Sequence, residues 1–147
     1  MKKIFRLISI ISIISFILHL IWEYAQCAPF FNHLNLKPTR QSMLIATLGD
    51  VNLTYIAFFV ISTVKRDWLW VMEPWDKKVF LSMFTIALVL SIGIEFRALS
   101  TERWSYSSSN PLLFDYISII PILQLLILFP LSFYLSRLVI TLLKNKD

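Results

Sequence analysis

Apolar residues along this chain fall into four long blocks, separated by short polar stretches. They run Ile4–Ala25 (IFRLISIISIISFILHLIWEYA), Met43–Val64, Val79–Leu99 and Ile117–Leu143. Each reaches the roughly 20 residues that carry an α-helix across a bilayer core about 30 Å thick. The fourth is longer than one span needs, so it either tilts or opens with an interfacial turn. Pro121 and Pro130 lie within it, and neighbouring groups can satisfy the carbonyls they free. The pattern predicts an all-α polytopic membrane protein, a four-transmembrane-helix bundle forming a single transmembrane domain over 1–147. No repeat and no second domain stand out.

Polar residues inside the blocks are few, and their depth is informative. His19 and Glu23 fall in the last turns of the first block, Asp50 about two turns into the second. Glu95 and Arg97 close the third, and Gln124 lies about two turns into the fourth. In an antiparallel bundle all of these reach the same end, within roughly the outer third of the bilayer at about 1.5 Å rise per residue. Helical spacing adds azimuth: His19, Trp22, Glu23 and Gln26 form one stripe, Thr47, Asp50 and Thr54 a second, Ser91 and Glu95 a third. The connecting run TERWSYSSSNP brings Glu102, Arg103, Trp104 and Tyr106, and can fold back as a lid. Gly49 and Gly93, beside two of the acids, are expected where helices approach closely.

Composition supports lipid as a solvent. Apolar residues make up 57% and charged residues 16%, against about a quarter charged in a soluble domain. The single cysteine, Cys27, excludes an internal disulfide and any CxxC redox or zinc pair; it should lie just beyond the first helix, within reach of an impermeant thiol reagent. The net charge of +5 is spread over the loops, so no nucleic-acid partner is expected. The expected partner is the lipid bilayer, with a homo-oligomer or another membrane protein left open.

Charge sets the orientation. Lys2, Lys3, Arg6, Lys65, Arg66, Lys77, Lys78, Arg137, Lys144 and Lys146 share one side; Lys37, Arg40, Arg97 and Arg103 share the other. Basic residues favour the cytoplasm, which puts both termini inside and the loops near 28–42 and 100–116 outside. Trp68, Trp70 and Trp75 on the inner loop suit the headgroup level. Lys2 and Lys3 before an apolar stretch also describe a signal peptide, but that stretch continues to Ala25 through His19, Trp22 and Glu23, and Tyr24-Ala25-Gln26-Cys27 is a poor lipobox. An uncleaved first helix is the expectation.

Ionisable groups within a span are costly unless they face a protein interior or water, so their convergence marks a working site or a packing device. The candidates for proton transfer are Glu23, Asp50 and Glu95, with His19, Trp22, Arg97, Arg103, Trp104, Tyr106 and Gln124 as binding residues. Arg97 or Arg103 is expected to approach an acid, because several carboxylates cannot all ionise in a low-dielectric pocket without a cation. With only two histidines and no Gly-rich phosphate loop, no metal or nucleotide cofactor is expected. Gly49-Asp50 is half of the pair used in intramembrane aspartyl proteolysis, yet no other span holds an Asp. Acid–base work on a small amphiphile, an isoprenoid or lipid, fits the residue types better. The alternatives are a non-catalytic subunit or scaffold whose polar cluster fixes helix packing or docks a partner, and a small carrier using the acids as a proton relay.

Taken together, His19-Leu20-Ile21-Trp22-Glu23, Leu48-Gly49-Asp50 and Glu102-Arg103-Trp104-Ser105-Tyr106, followed by a Pro-rich helix with Gln124, resemble a group of uncharacterised small bacterial inner-membrane proteins. The likeness covers nearly the whole chain and implies four helices in the inner membrane, but no particular activity. A fainter one is to membrane-embedded carotenoid (lycopene) cyclase subunits, which carry an Arg-Trp-x-Tyr-like run. Those have Pro-x-Glu-Glu in the next helix, where Pro121-Ile122-Leu123-Gln124 stands here without either acid.

Overall fold

The computed structural model describes residues 2–32 and 39–144. His33, Asn35 and Lys37 of the first loop, and Lys146 near the end, lie outside the described residues. Four helices carry the fold: α1 (Lys2–Phe30), α2 (Arg40–Lys65), α3 (Lys77–Ser100) and α4 (Ile119–Lys144). All four are long and apolar enough to cross a membrane. Helix α1 packs against α2 and α4, and α4 against α3; of the four neighbouring pairs, α2 and α3 touch least, which leaves a seam between them.

One half of the bundle is an apolar core. Leu7, Ile11, Phe58, Ile61, Phe129 and Phe133 fill it. Large apolar side chains also line the outside of every helix, among them Ile17, Ile21, Leu48, Leu81, Phe96 and Leu142. So much exposed apolar surface suits lipid rather than water.

Local chemistry fixes the helix starts. Thr39 and Ser42 form a capping box at α2, each satisfying a backbone N–H that has no partner within the helix. Asp76 caps α3, accepting from the Val79 N–H at 2.9 Å while Lys65 Nζ lies 2.9 Å from its other oxygen. That cation and the capping N–H hold the Asp76 carboxyl below its usual range.

Several expectations need correction. Trp70 is not at a headgroup surface: it plugs the core against Phe58 and Phe133, its indole donating to Ser62 Oγ at 3.1 Å. A three-residue 3-10 turn, Trp70–Met72, rolls the ring inward. Gly49 and Gly93 are not close approaches, since a Cβ at either would meet nothing within 4 Å. Helix α1 continues past Ala25 to Phe30 because its terminal carbonyls find donors in the loop before α4. Ser107 Oγ and Ser109 Oγ donate to the Pro29 carbonyl at 2.7 and 2.6 Å, and Asn110 Nδ2 to that of Phe30 at 2.8 Å.

That loop is ordered by two short antiparallel ladders. In the first, β1 (Phe31–Asn32) pairs with β2 (Ser105–Tyr106), and in the second, β3 (Leu112–Leu113) pairs with β4 (Ile117–Ser118). Pairing of Ile117 and Ser118 delays α4 to Ile119, and Ser118 Oγ accepts from the Ile120 N–H at 3.2 Å. Pro121 then falls in the first turn, where a missing N–H costs no helical bond.

Candidate functional site

At the end of the bundle away from the aromatic core, side chains from three helices form one chain of hydrogen bonds. Trp22 Nε1 donates to Gln26 Oε1 at 2.7 Å, both on α1. Gln26 Nε2 donates to Glu23 Oε1 at 2.7 Å and to Gln124 Oε1 on α4 at 3.2 Å. Gln124 Nε2 donates to Asp50 Oδ2 on α2 at 2.7 Å and faces His19 Nδ1 at 3.1 Å. His19 Nε2 lies 3.2 Å from Thr54 Oγ1, which donates to the Asp50 backbone carbonyl at 3.1 Å.

The direction of every bond follows from the two ends. An indole N–H only donates, so Gln26 must present its oxygen to Trp22 and its amide nitrogen to Gln124. Gln124 is oriented in turn by Gln26. Thr54 spends its only proton on a carbonyl, so His19 Nε2 must be the donor there. With neutral His19, Nδ1 is then the acceptor from Gln124. Both protons of each glutamine amide are used and none is left over. His19, Glu23, Gln26, Thr54 and Gln124 are all buried, so this saturation removes the penalty that unpaired polar groups would carry.

Asp50 sits where charges can interact. Its Oδ2 lies 3.5 Å from His19 Nδ1, an ion pair if the ring is protonated, and its carboxyl faces that of Glu23. Asp50, like Trp22, is only partly buried, its side chain 19% accessible.

Glu95, on α3, forms a separate wall. It is fully buried; its Oε2 accepts from the Tyr106 hydroxyl. Tyr106 in turn accepts from the Ser118 N–H at 3.2 Å. Burial, and then the Glu95 carboxyl it donates to, hold the Tyr106 phenol above its usual range. Among the described residues Glu95 Oε1 has no partner, and neither does the buried indole nitrogen of Trp104.

Between these two walls lies a cavity of about 80 Å³. Glu23, Asp50, Glu95, Gln124 and Trp104 all border it, as do the apolar Phe31, Leu53, Ile94 and Leu125. Ala46 and Asp50 on α2 and Ser91 and Ile94 on α3 place it on the loosely packed seam between those neighbouring helices. At roughly 10–15 Å³ for each water, the space holds about five to eight waters or a small organic group.

The arginines are elsewhere. Arg97 and Arg103 are exposed, and among the described residues neither pairs with an acid. Arg97 is two residues from Glu95, which turns it to the opposite face of α3. Arg103 lies with its guanidinium 5.5 Å from the Trp104 ring centre. Cys27, expected beyond the helix end, is inside α1, 5% accessible, and borders the cavity; the extension of α1 to Phe30 is the cause. Phe31 and Ser118 carried no signal in the sequence, since one is placed by a two-residue ladder and the other acts through its backbone. Among the described residues no group of three or more His, Cys, Asp or Glu is arranged to hold a metal ion. No family model, curated protein or solved structure matches the chain, so its chemistry is read from its own geometry.

Proposed function

We propose that this is a bacterial inner-membrane protein with both termini in the cytoplasm, whose outer-leaflet cavity binds, or does acid–base chemistry on, a small amphiphile such as an isoprenoid or lipid. One observation carries the reading: Glu23, Asp50 and Glu95, from three helices, border a single cavity whose remaining wall is largely apolar. Its position on the α2–α3 seam gives a route from the hydrocarbon. Drug-sized ligands occupy pockets of about 300–1,000 Å³, so only a head group or a short chain segment would enter, the rest staying in the bilayer. In this reading Asp50, facing both Glu23 and His19, is the proton donor or acceptor, and Gln124 positions it.

A second reading is favoured by the saturated hydrogen bonds among Trp22, Gln26, Gln124, His19 and Thr54. A network that needs nothing from outside is suited to fixing how α1, α2 and α4 pack. It describes that half of the cluster well but leaves Glu95 Oε1 and Trp104 Nε1 unexplained.

Mass spectrometry of lipids bound to the purified protein tests the proposal against this alternative. Wild type should carry an amphiphile enriched over bulk membrane lipid, and Ala46→Phe, which fills the cavity from α2, should lose it while keeping its thermal midpoint. A scaffold would carry no enriched molecule and would show no difference between the two proteins.

A further inference from the structure

We infer that the Glu95–Trp104 wall of the cavity recognises a hydroxyl group, so that the occupant is a neutral long-chain lipid alcohol. This rests on the cavity being a ligand site, as proposed above. The case begins with the two orphaned atoms. Glu95 is 0% accessible and Trp104 Nε1 is buried, yet among the described residues Glu95 Oε1 and Trp104 Nε1 have no hydrogen-bond partner; Trp75 Nε1 and Ser132 Oγ also lack one but do not border the cavity. Both residues border the same cavity. A buried polar atom without a partner is expensive, and native proteins rarely keep one without a group to meet it.

The two atoms ask for different things. The indole N–H can only donate, so it needs an acceptor. Glu95 Oε2 already accepts from Tyr106, whose hydroxyl accepts from the Ser118 N–H and has no other proton to give. As a carboxylate, Glu95 Oε1 remains an acceptor seeking a donor; as the acid, with its proton on that oxygen, it is a second donor seeking an acceptor. A hydroxyl meets Glu95 in either state while accepting from the indole; water can do the same, but only an alcohol also brings a carbon chain to the apolar wall of Phe31, Ile94 and Leu125. An ether or ester oxygen satisfies Trp104 but leaves an ionised Glu95 without a donor. An ammonium group satisfies only Glu95.

Charge narrows the class further. Glu23 and Asp50 border the same space, and among the described residues no Lys or Arg does. A phosphate or carboxylate head group would meet acids without a counter-ion, which disfavours it. Phe31, Ile94 and Leu125 supply an apolar surface for the first carbons of a chain.

The full-length protein in phosphatidylcholine nanodiscs, titrated with myristyl alcohol, myristyl methyl ether or myristate, provides the test. The readout is the ligand-induced rise in thermal midpoint, which gives an apparent affinity. The alcohol should give a saturable rise, the ether should bind about tenfold more weakly for want of a donor, and myristate should give none. Trp104→Phe keeps the ring but removes the N–H. It should bind the alcohol about tenfold more weakly, while the ligand-free midpoint stays the same or rises, because an unpaired donor has been removed. Equal binding of alcohol and ether by wild type, or undiminished binding of the alcohol by Trp104→Phe, would overturn the hydroxyl assignment and leave the cavity as a less selective site. Absence of any shift with all three probes would overturn both the assignment and the ligand-site reading beneath it.

Discussion

Gln124 Nε2 stands 2.7 Å from Asp50 Oδ2 and 3.1 Å from His19 Nδ1, so one amide on α4 joins α2 to α1. Because that amide is oriented by Gln26, and Gln26 by Trp22, the acceptor state of His19 Nδ1 is tied to an indole three side chains away. This relationship makes the network stiff and gives each member a distinct mutational signature.

Gln124→Leu should be the most damaging single change in the network. It keeps the volume but strands an oxygen of Asp50, a nitrogen of His19 and an N–H of Gln26. Interhelical hydrogen bonds in membranes are worth about 0.6–2 kcal/mol each, so with three lost a destabilisation of roughly 2–6 kcal/mol is expected. Reversible unfolding of the protein in mixed micelles measures it. A loss below about 0.5 kcal/mol, the range of neutral surface changes, would show that the network does not bear on packing.

Arg97→Ala should be nearly silent. An arginine that neutralised a buried acid would cost about 3–5 kcal/mol on removal, whereas Arg97 is exposed and faces away from Glu95. The expected change is within about 0.5 kcal/mol, measured by the same unfolding assay. A severe loss would place Arg97 against an acid after all.

The start of α3 should respond to acid. Asp76 has its carboxyl held below the usual range by Lys65 and by the capping Val79 N–H. A lowered folded value means that its contribution is fully present above the unfolded value of about 3.9. It is lost as pH falls below that and through the folded value. Amide hydrogen exchange at Val79 should therefore speed up, after correction for intrinsic rates, as pH falls below about 4. Asp76→Asn, which keeps a capping oxygen but cannot titrate, should flatten that response. An unchanged profile would mean that the Asp76 charge does not hold the cap.

Much of this protein was legible in the chain because depth along a helix is a one-dimensional quantity. Runs of about 20 apolar residues locate four helices, and counting residues from their ends places His19, Glu23, Asp50, Glu95 and Gln124 at one end at about 1.5 Å each. Helical spacing also separates the buried stripe of α1 from its lipid face. What spacing cannot supply is which atom meets which. Arg97 and Glu95 share a depth yet face opposite ways, Trp70 turns into the core on a three-residue turn, and serines that read as loop hold the end of α1. The distinction between a saturated network and two orphaned atoms on the next wall depends on distances near 3 Å between residues as far apart in sequence as His19 and Gln124. Only the packing of α4 against α1, with the lid folded over both, decides those.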